Sequence, residues 1–347
     1  MKNWQRISQD SVLKNKLLTR EKVFDGLRNF FKTQGFHEVE TPLLVKHPGT
    51  EPYLEVFKTE LVTPEKTQNA FLLTSPEYAM KKLIAGGMGD LFQICKSFRN
   101  HEGLSERHNP EFTILEWYRV NADYTKIMND FEQLLLSLVE KIQNRTDGKI
   151  TYQGKEYDIS APYTRISVAE AFEKYVGVTT DELLSVAALK KVAGSRGYQV
   201  DEETTWEGVY NQLFLNEIEP QLIDQNKPVI IYDYPASQAA LSKKKDSDPR
   251  FAERFEIYLG GLELGNAFTE LTDAVEQKAR FEEELALRKQ LGKTEYGLDQ
   301  DYIDALASGL PPTGGIAVGV DRLVMLLADA QDINETIFFP AEEIFSS

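Results

Sequence analysis

An α+β fold, with an antiparallel sheet flanked by helices, follows from three observations. Strand candidates outnumber helices in the segments rich in chemistry, they recur as hairpins, and no strand–helix–strand repeat runs through the chain. In order, Thr19 to Gln34 carries Val23, Leu27, Phe30 and Phe31 at helical spacing and stops at Gly35. Phe36 to Val45 reads as extended, and Pro42 within it, lacking a ladder donor, places it at a sheet edge or subunit boundary. Phe71 to Leu73 is a strand; a helix through Ile84 follows, with Ser75 as N-cap and Pro76 as first helical residue, and Gly86-Gly87 ends it. Leu91 to Arg99 and Glu111 to Arg119 are two strands with a polar loop between them. Val120 to Asp224 is mostly helical, with a β-like piece at Ile150 to Ile159. Val229 to Tyr232 reads as a buried strand, and Phe255 to Leu259 and Leu262 to Asn266 form a hairpin about Gly260-Gly261. A charged helix, Ala274 to Leu291, precedes the strand Ile316 to Val320 and the helix Asp321 to Ala330. With no internal repeat and no linker, residues 1–347 read as one domain.

Composition bounds the function. The chain has 347 residues, and its 39 basic against 55 acidic side chains give a net charge of −16, which argues against a surface built mainly to hold nucleic acid. A hydrophobic fraction of 41% supports a packed core and excludes a disordered chain. One cysteine, Cys95, can form no internal disulfide and suits a reducing cytoplasm. Leu134 to Val139, the most apolar run, is far below the roughly 20 residues a bilayer span needs.

Strict alternation in Glu111 to Arg119 puts Phe112, Ile114, Glu116 and Tyr118 on one face; on the partner strand Gln93, Cys95, Ser97 and Arg99 share a face. Alternation alone allows Glu116 to be either a buried functional carboxylate or a solvated one at a strand edge. In the hairpin, Tyr258 would face Glu263 and Glu256 would face Gly265, bringing Glu256 and Glu263 together. Two adjacent carboxylates repel unless a cation or a shared proton separates them, and with a phosphate-bearing substrate they suit Mg²⁺. Gly314, Gly315 and Gly319 permit close backbone approach, and Arg322 at the start of the next helix suits an anion.

Three segments then resemble the motifs of class II aminoacyl-tRNA synthetases, and within them the lysyl enzymes. Gly35-Phe36 through Thr41-Pro42-Leu43-Leu44 is similar to motif 1, the dimer interface of that family; Phe98-Arg99-Asn100 through His108-Asn109-Pro110-Glu111-Phe112-Thr113 to motif 2; and Gly314 to Arg322 to motif 3. The resemblance implies an antiparallel catalytic domain, a homodimer, ATP and Mg²⁺. Arg99 would bind the α-phosphate and Arg322 the γ-phosphate, both catalytic. Glu102, His108, Asn109, Phe112, Glu263, Leu264 and Gly319 would complete the ATP site, with Phe112 stacking on adenine and Glu256 and Glu263 holding the metal. Glu77 would bind the amino acid's α- or β-ammonium, Glu116, Tyr118 and Glu270 its distal ammonium, and Ser75, Asn266 and Ala317 the remaining wall.

Departures refine the match. Only 34 residues precede Gly35, whereas the five strands of an OB-fold with their turns need more than about 40, so no anticodon-binding domain is expected and tRNA is a poor candidate partner. Tyr234 to Leu241 resembles the corresponding segment of the elongation factor P (R)-β-lysine ligases. Ala317, where lysyl-tRNA synthetases usually have glycine, is shared with those ligases and would shrink the pocket in favour of a β-amino acid. Two residues, Asn100 and His101, separate Arg99 from Glu102, where motif 2 usually has one. The implied activity is ATP-dependent adenylation of (R)-β-lysine or lysine and transfer to a lysine of elongation factor P, in the cytoplasm and without a membrane. The alternatives are a truncated lysyl-tRNA synthetase-like enzyme acting on tRNA or a small amine, and an inactive ATP- or lysine-binding paralogue. The local basic patch expected to meet the protein partner includes Lys243 to Lys245.

Overall fold

The computed structural model describes residues 1–346. Its strands are β1 (His37–Glu38), β2 (Leu44–Val45), β3 (Lys58–Val62), β4 (Thr67–Leu72), β5 (Leu91–Phe98), β6 (Glu111–Val120), β7 (Lys149–Tyr152), β8 (Lys155–Asp158), β9 (Thr164–Ser167), β10 (Val229–Pro235), β11 (Phe251–Leu259), β12 (Leu262–Thr269) and β13 (Thr313–Gly319). Eight of them form one sheet in the order β1-β5-β6-β13-β12-β11-β10-β9. Its interior pairings are antiparallel, as expected. Both edge pairs, β1 with β5 and β9 with β10, are parallel. The β9–β10 connection is a long helical crossover, Val168 to Ile223, which the absence of a repeated strand–helix pattern had concealed.

Alternation divides the sheet into two unlike faces. Phe92, Leu115, Trp117, Ile316, Val318, Phe255 and Ile257 point to a main core closed by the helices Ser11–Thr33, Tyr124–Gln143 and Val320–Leu327. On the opposite face, the crossover helices cover β10 and β11 at one end. The helices Glu77–Ala85, Ala274–Gln290 and Gln300–Ala307 cover the other. Between these two covers, polar residues of β6, β11 and β12 line cavities over the sheet.

Several boundaries differ from the sequence reading. The first long helix begins at Ser11, not Thr19, because the Asp10 carboxylate caps it by accepting from the Leu13 N–H. The Phe36 to Val45 stretch is broken about Pro42 into β1 and β2, which belong to different sheets. The next helix starts at Glu77 with Pro76 as N-cap; Ser75 is one position further out, although its hydroxyl still accepts from the Glu77 N–H. In the hairpin, Leu259 faces Leu262 and Tyr258 faces Glu263, but Glu256 faces Asn266 rather than Gly265. The cause is a register shift between Ile257 and Tyr258 that makes Leu264 an extra residue. The bulge puts Asn266 on the same face as Glu263, three residues away, which regular alternation forbids.

Candidate active site

The register aligns a row of polar side chains across five strands: Glu256 beside Asn266, then Ala317, Glu116 and Gln93. The neighbouring row runs Arg254, Phe268, Gly315, Tyr118 and Leu91. Over these rows lie two adjoining cavities, of about 180 and 320 Å³, which share Arg99, Ile114, Asn266 and Ala317 as common wall. Larger clefts of about 460 and 540 Å³ lie near His47 and along β9; apart from Ser75 neither contains a residue that the sequence assigns to substrate, ATP or metal.

The smaller cavity is acid-lined. Glu116 is 1% exposed and accepts from Ser75 Oγ at 2.6 Å and Tyr118 Oη at 2.9 Å. Glu270, 2% exposed, forms an ion pair with Lys81, whose Nζ is also 2.5 Å from Glu77 Oε1. Burial, reinforced by the charge of Glu77, pushes the Glu116 carboxyl up to about 8. Burial likewise holds Glu270 at about 8 against the opposing pull of Lys81. Burial alone would discharge Lys81, but Glu270 and Glu77 hold its ammonium well above the usual lysine value. Gly315 is the floor between these groups: a Cβ there would lie 2.3 Å from Glu270 Oε1 and 2.4 Å from the Tyr118 ring.

The larger cavity is ringed by arginines. Arg99 lies over the Phe112 ring, 5.1 Å from its centroid, and 3.6 Å from Glu102. His101 absorbs the additional loop residue by taking a left-handed backbone with φ 63°, which leaves Glu102 turned toward Arg99. Arg322 donates to the Glu263 carbonyl at 3.0 Å and to His108 Nε2 at 3.1 Å. Since a guanidinium can only donate, His108 accepts through Nε2 and its Nδ1–H serves Ser105 Oγ at 3.0 Å. Burial and then Arg322 lower the His108 pKa, consistent with the neutral ring. The helix that carries Arg322 is fixed by Asp321, which accepts from the Thr113 N–H at 2.6 Å and from Arg20.

The structure gathers Arg99, Glu102, His108, Asn109, Phe112, Glu256, Glu263, Leu264, Gly319 and Arg322 around this larger cavity, and Ser75, Glu77, Glu116, Tyr118, Asn266, Glu270 and Ala317 around the smaller one. The Asn109 side-chain amide donates to the Glu111 carbonyl and accepts from the Ala341 N–H, which fixes it in the wall of the larger cavity. Cys95, pushed up to about 12 by burial and by Glu116, is no nucleophile.

Glu256 and Glu263 fit a cation in part. Burial and then Glu256 raise the Glu263 carboxyl, the mark of an under-compensated pair, whereas Glu256 already has Arg254 at 2.6 Å and Tyr258 Oη at 2.8 Å. Among the described residues no three acidic, histidine or cysteine side chains form a metal cluster. A magnesium ion bound through two carboxylates, phosphate oxygens and water needs no third protein ligand.

Sequence reasoning missed several charged groups here, Arg107 of the larger cavity among them. Lys81 follows Glu77 at i,i+4, a legible helical pairing. Arg254 alternates with Glu256 and Tyr258 on β11 and lies 4.4 Å from the Tyr234 ring centroid. Glu51 and Glu284 line the smaller cavity from a loop and a helix distant in sequence, and no local pattern announces them. The lysines 243–245 are the reverse case. Each is already paired, with Asp246, Glu276 and Asp233 respectively, so they are not a free basic patch.

A mainly antiparallel sheet with the motif 2 and motif 3 segments on neighbouring strands fits a class II synthetase catalytic fold, and residues 2–343 match the family described as tRNA synthetases class II (D, K and N). The chain belongs to that family. It is 40% identical over 339 residues to the elongation factor P (R)-β-lysine ligase of Mannheimia succiniciproducens, covering 96% of this chain and 98% of that one. It is 39% identical over 335 residues to the ligase of the same name from Histophilus somni, covering 95% and 96%. It is also 39% identical over 324 residues to the lysine–tRNA ligase of Pediococcus pentosaceus, where it spans 92% of this chain but 63% of the relative. No described helix is long and apolar enough to cross a membrane.

Proposed function

We propose that the protein activates lysine or (R)-β-lysine with ATP and transfers the aminoacyl group to a lysine side chain of elongation factor P. One observation carries this reading: an acid-lined cavity and an arginine-ringed cavity meet at a common wall of Arg99, Asn266 and Ala317. A diamino acid with its ammonium groups among Glu77, Glu116 and Glu270 presents its carboxylate toward Arg99 and the second cavity. There a carboxylate oxygen attacks the α-phosphorus of ATP, the bond to the β-phosphate oxygen breaks, and pyrophosphate leaves with that electron pair. The nucleophile is already ionised, so positioning and charge stabilisation by Arg99 and Arg322 suffice. Glu256 and Glu263 would hold Mg²⁺, which neutralises phosphate charge. In the second step the acceptor's neutral amine attacks the adenylate carbonyl, the bond from that carbon to the phosphate oxygen breaks so that AMP leaves with its electron pair, and the nitrogen releases a proton to solvent as the amide forms. A homodimer built through the motif 1 segment belongs to the same reading.

The similarity to lysine–tRNA ligases makes tRNA the rival acceptor. The protein, ATP, Mg²⁺ and (R)-β-lysine are incubated with elongation factor P or with tRNA(Lys), and product masses are followed. A mass gain on the protein alone supports the reading; modification of tRNA alone refutes it.

A further inference from the structure

We propose that Lys81 is a positioning residue that makes the acid-lined cavity selective for a charged distal end, acting through Glu77 and Glu270 without touching the substrate. The inference rests on the reading above that this cavity holds a diamino acid.

Lys81 projects from the helix Glu77–Ala85, and its side chain is 0% exposed. A buried ammonium is tolerated only if paired, and one partner would suffice. Lys81 instead bridges two carboxylates that both line the cavity, Glu77 from its own helix and Glu270 from the residue after β12. From β6, the Tyr118 ring centroid lies 5.9 Å from Nζ, and Glu116 is turned away onto Ser75 and Tyr118. Tyr302, on the helix Gln300–Ala307, is buried against the same region. Glu51 and Glu284 form no ion pair with Lys81 among the described residues. The carboxylates that line this cavity outnumber the one ammonium of Lys81, which leaves negative charge for the ammonium groups of a diamino acid to offset.

Without the Lys81 charge, Glu270 loses the cation that holds its carboxyl down, and burial with the charge of Glu77 beside it favours its neutral form. A neutral carboxyl there distinguishes an ammonium from a hydroxyl poorly. Selectivity for the charged end is therefore the quantity that Lys81 controls, and a merely structural lysine would not move it.

The full chain and its Lys81→Met, Lys81→Gln and Lys81→Arg variants are titrated calorimetrically with lysine and with 6-hydroxynorleucine, which has a hydroxyl in place of the distal ammonium. Lys81→Met is expected to lower the lysine-to-hydroxynorleucine affinity ratio at least about tenfold, and Lys81→Arg to keep it within about threefold of wild type. Lys81→Gln, which can hydrogen-bond both carboxyls without a charge, repeats the test if the methionine variant fails to fold. A ratio unchanged in the neutral variants, or equal weakening of both ligands, overturns the inference while wild-type lysine binding preserves the substrate reading. Wild-type protein that binds no lysine overturns both.

Discussion

The two cavities share one wall and one sheet, yet they handle charge in opposite ways. The acid-lined cavity keeps its charges buried: Lys81 pairs with Glu270, and Glu116 accepts from Ser75 and Tyr118. The arginine-ringed cavity leaves its charges partly in solvent. Arg99 and Arg322 keep 35% and 23% of their side-chain surface in solvent, and their partners include a backbone carbonyl and a neutral histidine. A buried ionic site is rigid and selective but costs charge desolvation before any ligand arrives, whereas a solvated one receives a flexible polyanion with little rearrangement. Substitutions should consequently be severe in the first cavity and graded in the second. The largest effect is expected for Glu116→Ala: lysine-dependent pyrophosphate exchange should fall about a thousandfold or more, while ATP binding measured directly stays within about threefold. Exchange at the wild-type rate would remove Glu116 from its assigned role.

Two glycines of one strand sharpen the contrast. At Gly315 a Cβ would strike Glu270 Oε1 and the Tyr118 ring at 2.3–2.4 Å. At Gly319 the nearest atoms, all in the Arg322 side chain, are 3.8–4.0 Å away. Gly315→Ala should raise the KM for lysine by about a hundredfold, and Gly319→Ala should change the KM for ATP by less than about threefold. Steady-state kinetics with each substrate varied in turn decides this; comparable effects from both would erase the proposed difference in tightness.

How much of this was legible follows the same division. Face membership on β6 and the pairing of Tyr258 with Glu263 were readable because a strand's period is two and a Gly-Gly turn fixes register. Asn266 was assigned to the site only through the family resemblance, since alternation puts it on the wrong face and nothing local marks the bulge at Leu264. Glu51 and Glu284 were illegible because tertiary packing alone carries them to the cavity. The lysine cluster 243–245 misled for a related reason: sequence shows three adjacent cations but not the acids Asp233 and Glu276 that neutralise two of them from other elements.

The acid-lined cavity should also couple binding to protons. In the empty site Glu116 sits at about 8 with no cation paired to it, so near neutral pH it is substantially protonated, whereas Glu270 is paired with Lys81. An arriving diammonium ligand favours ionised Glu116 and pulls its value down, so binding releases a proton. Lysine affinity should therefore rise from pH 6 to 8 and level off above, by at most about tenfold per pH unit for each proton released. Calorimetry in buffers of different ionisation enthalpy counts the protons directly, and affinity that falls across this range would contradict the sign.

The smallest effect is expected at the shared wall, where the two cavities have to agree on where the reacting carboxylate sits. Ala317 stands between Asn266 and Glu116 in the polar row, and its methyl group faces both cavities. It carries no charge and contributes no hydrogen bond through its side chain, so its influence is limited to the volume of one methyl. A β-amino acid moves its ammonium one carbon along the chain and leaves that volume free, whereas an α-amino group approaches the wall more closely. Ala317→Gly should then shift the ratio of adenylation rates toward α-lysine by roughly tenfold, within the 1–3 kcal/mol that one methyl group contributes to discrimination, with the KM for ATP unchanged. Comparing pyrophosphate exchange with the two isomers tests it. An unaltered ratio would mean that the wall does not select the isomer, and would turn attention to Glu51 and Glu284, which line the same cavity.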